Sequence, residues 1–351
     1  MPGSIGHPMG GMNTIYRFAR FMREQKEVKN NFIVTGAAHQ ERSEILKYVS
    51  QKVPDVSIEN IFQVRTKKDL YDLPDSDAVI ATRWDTALYA LHVDKTCAKF
   101  YFLQDFEPMF SPAGIASALA EATYRFGFIG IVNSKGLYEI YKQYTPHSTY
   151  FTPGVDKEIY YPAVIEPQKH TVSRPISIIF YGRPGIPRNG FELGIEALKR
   201  IKQMHGDAVK IYSAGRSWDE EKYGVKGIIK NVGMLSDLHA VAELYRKSDI
   251  GLVFVFTRGP SYQGIEFMAS GTAVVTNFNP SGTWLLKDKE NCLFAEPTVS
   301  DVTDKIDRLV KSETLRKNLA QNGIRTARTL EWNREWEKIW QFIADKTTST
   351  P

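Results

Sequence analysis

Cysteine is nearly absent: Cys97 and Cys292 are the two in 351 residues, in separate apolar contexts and without metal-ligand spacing. That excludes a disulfide-stapled scaffold and a Cys-ligated zinc site, and both read as free core thiols of a reducing compartment. Apolar runs stay well short of the ~18 residues a membrane-crossing helix needs. Met1 to Met9 carries no basic stretch followed by an apolar one, so no secretory leader is expected and the expected location is cytoplasmic. Strong charge is missing too. The balance of 45 Lys and Arg against 40 Asp and Glu leaves +5, which argues weakly for anionic partners and against a dedicated nucleic-acid binder. No G-x-G-x-x-G opens a βαβ unit, which makes a nicotinamide dehydrogenase the least favoured reading.

What remains is an ordinary globular composition, 42% apolar and 24% charged, in a chain long enough for two domains. Short apolar runs alternate with helical patterns throughout. In the first half, strands are expected at 31–35, 58–64, 78–82, 99–103 and 128–133, with helices near 13–25, 40–51, 85–93, 114–126 and 135–143. That βα repeat predicts a parallel sheet. Pro153-Gly154 and the polar stretch to Arg174 break the pattern and mark a boundary. Beyond it, strands are expected at 176–181, 209–213, 228–232, 250–256, 272–276 and 292–295, and an Asp-capped helix at 237–247. Trp332, Trp336, Trp340 and Phe342 lie on a final helix as a core stripe. The division expected is 1–155, 156–330 and a closing helix and tail, 331–351.

Two stretches carry chemistry. Asp249 to Thr276 reads as a buried strand, a Gly-Pro-Ser turn, a short helix from Tyr262 and a second buried strand. Such a unit offers a helix N-terminus at a strand's carboxyl end, where backbone N–H groups and the helix dipole favour a phosphate. Glu266, one turn in, could accept hydrogen bonds from vicinal hydroxyls, or could be a solvated helix carboxylate. The other stretch is I-S-I-I-F-Y-G, ending at Gly182, followed by Arg183-Pro-Gly-Ile-Pro-Arg188-Asn-Gly190. Two arginines on a stiffened turn can converge on one anion, because the planar guanidinium pairs with phosphate oxygens and stays charged. Taken together, the two point to a nucleotide diphosphate.

These motifs resemble the C-terminal domain of retaining glycosyltransferases of the two-domain GT-B type. Y-F-L-Q-D-F-E-P-M-F-S-P-A-G and T-P-G-V-D-K-E-I-Y-Y-P extend the similarity over nearly the whole chain, narrowing it to bacterial rhamnosyltransferases of S-layer and surface glycans. The resemblance implies an α/β fold of two Rossmann-like domains with parallel sheets facing across a cleft and a C-terminal helix crossing back. It implies a nucleotide-diphosphate sugar donor (dTDP-L-rhamnose, or a UDP sugar), a glycan or lipid-linked glycan acceptor, and no metal or other cofactor. Donor contacts would come from Gly10, Gly11, Gly182, Gly215, Arg258, Pro260, Ser261, Tyr262 and Glu266. Arg183 and Arg188 would neutralise the leaving diphosphate.

Gln104-Asp105-Phe106-Glu107-Pro108 directly follows a strand, the face at which open α/β sheets bind ligands. Its carboxylates could orient or deprotonate an acceptor hydroxyl, or simply cap the next helix; the resemblance tips Asp105 towards catalysis, with Gln104 and Glu107 towards acceptor binding. Asp75-Ser76-Asp77 looks like a metal motif but precedes its strand, and reads as a loop. His92 falls on a predicted helix and reads as structural. The helix after Gly11 has Ile15, Phe18, Ala19 and Met22 on one face and Arg17, Arg20 and Arg23 off it. Packing on its own sheet is the favoured reading, while a basic amphipathic helix could touch an anionic membrane surface. Two departures from the family stand out. No convincing first strand precedes Gly10, and Arg258 replaces the first Glu of the usual E-x7-E pair, which leaves the sugar contacts and the stereochemical outcome open. A nucleotide-sugar epimerase and a non-catalytic binding relative also remain open.

Overall fold

The computed structural model describes residues 10–36, 40–163, 174–235 and 237–348. In chain order the first elements are α1 (Gly10–Lys26), β1 (Phe32–Thr35), α2 (Arg42–Ser50), β2 (Ile61–Val64), β3 (Ser76–Ala81), α3 (Trp84–Ala90), β4 (Thr96–Leu103), α4 (Ile115–Ala122), β5 (Ile129–Asn133), α5 (Lys135–Tyr141) and β6 (Ser148–Phe151). Then come β7 (Ile176–Gly182), α6 (Phe191–His205), β8 (Val209–Gly215), β9 (Ile229–Gly233), α7 (Leu238–Arg246), β10 (Ile250–Leu252), α8 (Tyr262–Ala269), β11 (Ala273–Asn277), β12 (Cys292–Ala295), α9 (Val299–Lys311), α10 (Glu313–Arg328) and α11 (Trp332–Thr348). Two compact units result: one from residues 1–152 with 332–351, the other from 153–331.

Every strand pair in the first unit is parallel, but the strands form two sheets, β1-β2 and β3-β4-β5-β6. Helix α1 serves both. Met12, Tyr16 and Ala19 join Phe32, Val34 and Ile61 in one core, while Phe18, Phe21 and Met22 join Phe100, Phe102 and Trp336 in another. Its apolar side chains are therefore spent inside the unit, which leaves α1 no apolar face to offer a membrane. Among the described residues no helix is long and apolar enough to cross one. Trp336 is the keystone of α11: its ring lies 5.2 Å from that of Phe18 and 5.0 Å from that of Phe151.

The second unit holds one continuous parallel sheet, ordered β12-β11-β10-β7-β8-β9. From β7 the chain winds outward through β8 and β9, then returns beside β7 as β10 and winds the other way. The order thus reverses between β7 and β10, the place where doubly wound sheets open a ligand crevice at the strands' carboxyl ends. Apolar clusters cover both faces, one around Phe180, Phe191 and Phe254, the other around Ile179, Phe267 and Val274. Coverage on both sides explains the uninterrupted apolar runs of these strands.

Several expectations need correcting. Cys97 is exposed, because it falls at the outer start of β4; Cys292 is buried, and burial pushes its thiol up to about 12. Helix α3 stops at Ala90, so His92 lies in an exposed turn. β10 ends four residues early because the next backbone donors leave the ladder: Val255 N–H goes to Asn277 Oδ1 and Phe256 N–H to the Arg188 carbonyl. Strand β6, read as boundary, pairs with β5.

Candidate functional site

In the second unit the two chemistry-bearing loops leave adjacent strands. Phe180 of β7 pairs with Leu252 of β10, so Arg183–Gly190 and 253–261 emerge side by side from the sheet's carboxyl edge. The hydrogen bond from Phe256 N–H to the Arg188 carbonyl, 3.0 Å, ties the loops together. Tyr181, at the end of β7, reports what surrounds this point. Burial pushes its phenol up, the Arg183 guanidinium pulls it down, and the charges of Glu266 and Arg188 act on it too. Arg183 lies against that ring, its carbon 5.9 Å from the centroid and its Nη1 donating to the hydroxyl at 3.3 Å. Three residues from separate loops, Arg183, Arg188 and Glu266, thus converge on one phenol.

Small residues make this approach feasible. Gly182 pairs with Gly215 across β7 and β8. A Cβ on Gly182 would sit 2.3 Å from Ser213 Oγ. Gly215 has φ +123°, and a Cβ there would come within 3.1 Å of both the Tyr181 ring and Arg183 Cγ. Side chains at these positions would displace the arginine.

Ser261 caps α8, its Oγ accepting from Gly264 N–H at 3.2 Å, so the Pro260-Ser261-Tyr262 turn feeds a helix start beside the arginine loop. Arg258 is half-buried in the same turn. Two further residues, not anticipated from sequence, hold this loop. Asn277 accepts from Val255 N–H at 2.7 Å and donates to its carbonyl at 2.9 Å; Asn279 donates to the Thr257 carbonyl at 3.0 Å and the Gly259 carbonyl at 3.3 Å. Both are buried. The available signal was T-N-F-N-P: amides placed just past a strand, where they serve stranded backbone groups.

The first unit's candidate loop behaves differently. Gln104, after β4, donates from Nε2 to the Gly11 carbonyl at 2.7 Å. Gly10 and Gly11 themselves form the first turn of α1 rather than a turn before it; helix N-termini tolerate glycine because their N–H groups need no intrahelical acceptor. Asp105 is half-buried, its Oδ1 accepting from Phe106 N–H at 2.8 Å. Glu107 is 4% exposed. Its Oε2 accepts from Trp84 N–H, the first residue of α3, and from the Tyr101 hydroxyl at 3.0 Å, while its own N–H donates to Tyr124 at 3.0 Å. Desolvation raises its carboxyl to about 8, against the lowering effect of Trp84, Tyr101 and Arg83. Expected to meet an acceptor, Glu107 instead fastens α3 and β4 inside the unit. Asp75-Ser76-Asp77 falls at the amino end of β3, and among the described residues no three His, Cys, Asp or Glu side chains gather as a metal set.

With this geometry established, comparison with known proteins is informative. Residues 176–307, which hold the arginine loop and α8, match the family described as the WsaF C-terminal domain. HepE of Anabaena, solved in complex with UDP and glucose, superposes with a TM-score of 0.70 over 99% of this chain and 98% of its own, at 15% identity. A glycosyltransferase of Rickettsia africae gives 0.67 over 99% and 97%, at 14% identity. Sucrose-phosphate synthase of Thermosynechococcus elongatus gives 0.63 over 77% and 73%, also at 14%. The fold is of the GT-B type. In sequence, 97% of the chain is 39% identical to the O-antigen biosynthesis protein RfbC of Myxococcus xanthus. The chain spans about a quarter of that relative's length, 26%.

Proposed function

We propose that the chain is a glycosyltransferase of cell-surface glycan synthesis, moving a sugar from a nucleotide-diphosphate donor to a glycan hydroxyl. The observation that carries this reading is the convergence of Arg183, Arg188 and Glu266 at the strand-order reversal of the second unit. The similarity to an O-antigen biosynthesis protein and to a fold that in HepE holds UDP and glucose supports it.

The reaction breaks the bond between the sugar C1 and the terminal phosphate oxygen, whose electron pair stays with the diphosphate. A new C1–O bond forms to the acceptor, whose hydroxyl proton is released. Charge develops on the diphosphate, so preorganised cations there lower the barrier most. We assign that task to Arg183 and Arg188, with backbone donors from the α8 start at Ser261 and Tyr262, and with Gly182 and Gly215 letting the phosphates approach the backbone. Glu266 takes the ribose hydroxyls. Arg258 and Pro260 complete the donor turn. In the first unit Asp105 is assigned to the acceptor hydroxyl, and Gly10 and Gly11 to the donor's diphosphate. Gln104 and Glu107 then act as positioning residues, one holding Gly11 and the other holding α3. L-Rhamnose from dTDP is the donor we favour, because Arg258 stands where a Glu would meet sugar hydroxyls and a deoxy sugar has fewer of them.

Thermal-shift titration with dTDP, UDP and their sugars tests the reading directly. Stabilisation by one nucleotide diphosphate, lost in Arg183→Ala, is expected. A chain indifferent to all of them would be a binding relative, and the transferase reading would fall.

A further inference from the structure

The first unit contains a cavity of about 680 Å³ between its two sheets. β1 forms one wall with Ile33 and β3 the other with Val79 and Ile80; Phe18 and Met22 of α1 and Ile343 of α11 line it as well. Among the described residues β3 pairs only with β4. Ser76 N–H donates to the Lys95 carbonyl on the β4 side, 3.1 Å. Backbone direction alternates along a strand, so the N–H and C=O groups of Asp77, Val79 and Ala81 point the other way, into the cavity.

We propose that this cavity is a strand-docking slot, taking one parallel apolar strand that enters from the amino-terminal side of α1. Three observations converge on that occupant. The first is size: with ~3.3 Å of rise, ~4.8 Å between strands and ~10 Å between layers, a sheet residue fills about 160 Å³, so the slot holds about four residues. β1 and β2 are each four residues long. The second is chemistry. The walls are mainly apolar, yet a sheet edge inside them carries backbone donors and acceptors that need partners, which a strand supplies and an apolar small molecule does not. The third is handedness. A strand followed by α1 and then by parallel β1 makes the favoured right-handed crossover only if it lies beside β1 on the face that α1 covers. One added strand there would join β2-β1 to β3-β4-β5-β6 as a single sheet.

Amide hydrogen exchange and thermal unfolding test this on the chain as it stands and on two extended forms. One form carries Val-Ile-Leu-Val-Val-Thr ahead of Met1; the other carries the same length with Asp at alternate positions. The apolar extension is expected to slow exchange at Val79 and Ala81 at least tenfold and to raise the unfolding temperature, and the Asp-bearing one to do neither. Equal behaviour of the two extensions overturns the proposal. So does finding Val79 and Ala81 of the unextended chain as slow as Ile131 in β5, since the slot would already be filled. If the free hexapeptide protects β3 and the extension does not, the strand does not enter through α1, and the proposal is wrong. None of these readouts depends on the transferase reading.

Discussion

The carboxyl ends of β4 and β7 make an instructive pair. Each opens a loop in which sequence alone places charged residues with a chemical role. At β7 the charges stay at the surface of the crevice, half-buried, gathered around Tyr181 by loops that glycine and asparagine hold in place. At β4 the second carboxylate, Glu107, turns inward and is consumed by Trp84 and Tyr101. The same position on the same kind of sheet can hold a ligand group or a structural one, and burial separates them. A group kept for a ligand retains access to solvent. One that has traded water for protein partners cannot be withdrawn without leaving those partners stranded.

The contrast is sharpest in function. Arg183→Ala is expected to lower turnover of nucleotide sugar about 100-fold, roughly 2.7 kcal/mol of transition-state stabilisation, since each preorganised donor at a developing oxyanion contributes on that order. Unfolding should change by no more than about 1 kcal/mol, the worth of its bond to Tyr181. Product-release kinetics beside urea unfolding would measure both. A stability loss as large as the catalytic one would erase the distinction between the two loops.

Glu107→Ala should do the reverse. It strands the Trp84 N–H and the Tyr101 hydroxyl in the interior, at about 3 kcal/mol of folding stability, while nucleotide affinity stays within about twofold. Glu107→Gln keeps an acceptor for both donors and should recover most of the loss. If Glu107→Ala folds normally but no longer transfers sugar, the carboxylate belongs to the acceptor site after all.

A pH series probes the same group with no mutation. Burial raises the Glu107 carboxyl from 4.5 to about 8, so the folded chain keeps a proton that the unfolded chain sheds. Its contribution to stability is greatest at low pH and falls as pH climbs between those two values, by about 2 kcal/mol from about pH 6 to pH 8. Unfolding temperatures across that range should drop in the parent chain and stay flatter in Glu107→Gln.

Much of this was legible in the sequence, for reasons that explain the misses. Strands covered on both faces are written as apolar runs, so all of β7 to β12 could be located. Asp237 marked its helix, and its carboxylate indeed accepts from His239 and Ala240 N–H groups. Arg183, Arg188 and Ser261 were readable because phosphate binding demands particular residue types after particular strands. Burial of a single carboxylate is not written locally. Glu107 depends on Tyr101 and Tyr124, which reach it only when β4 and the turn after α4 meet, and on α3 from 23 residues earlier. The lock formed by Asn277 and Asn279 was hidden for the same reason, because an asparagine's partners lie wherever the backbone lacks one.

The smallest effect makes the finest test. Tyr101→Phe removes one hydroxyl that donates to Glu107 at 3.0 Å and lies 3.3 Å from Thr123 Oγ1, while the ring stays in its cluster with Tyr124 and Tyr141. Loss of one buried hydrogen bond predicts about 1 kcal/mol. It also predicts a direction for the acid. That bond lowers the Glu107 pKa, so its removal should push the carboxyl higher and extend the falling limb of the stability profile towards alkaline pH. Tyr101→Phe and Glu107→Gln should also be non-additive in a double-mutant cycle, since they share one interaction. A simple sum would mean that the hydroxyl and the carboxylate do not act on each other, and that desolvation alone distinguishes this loop from the arginine loop at β7.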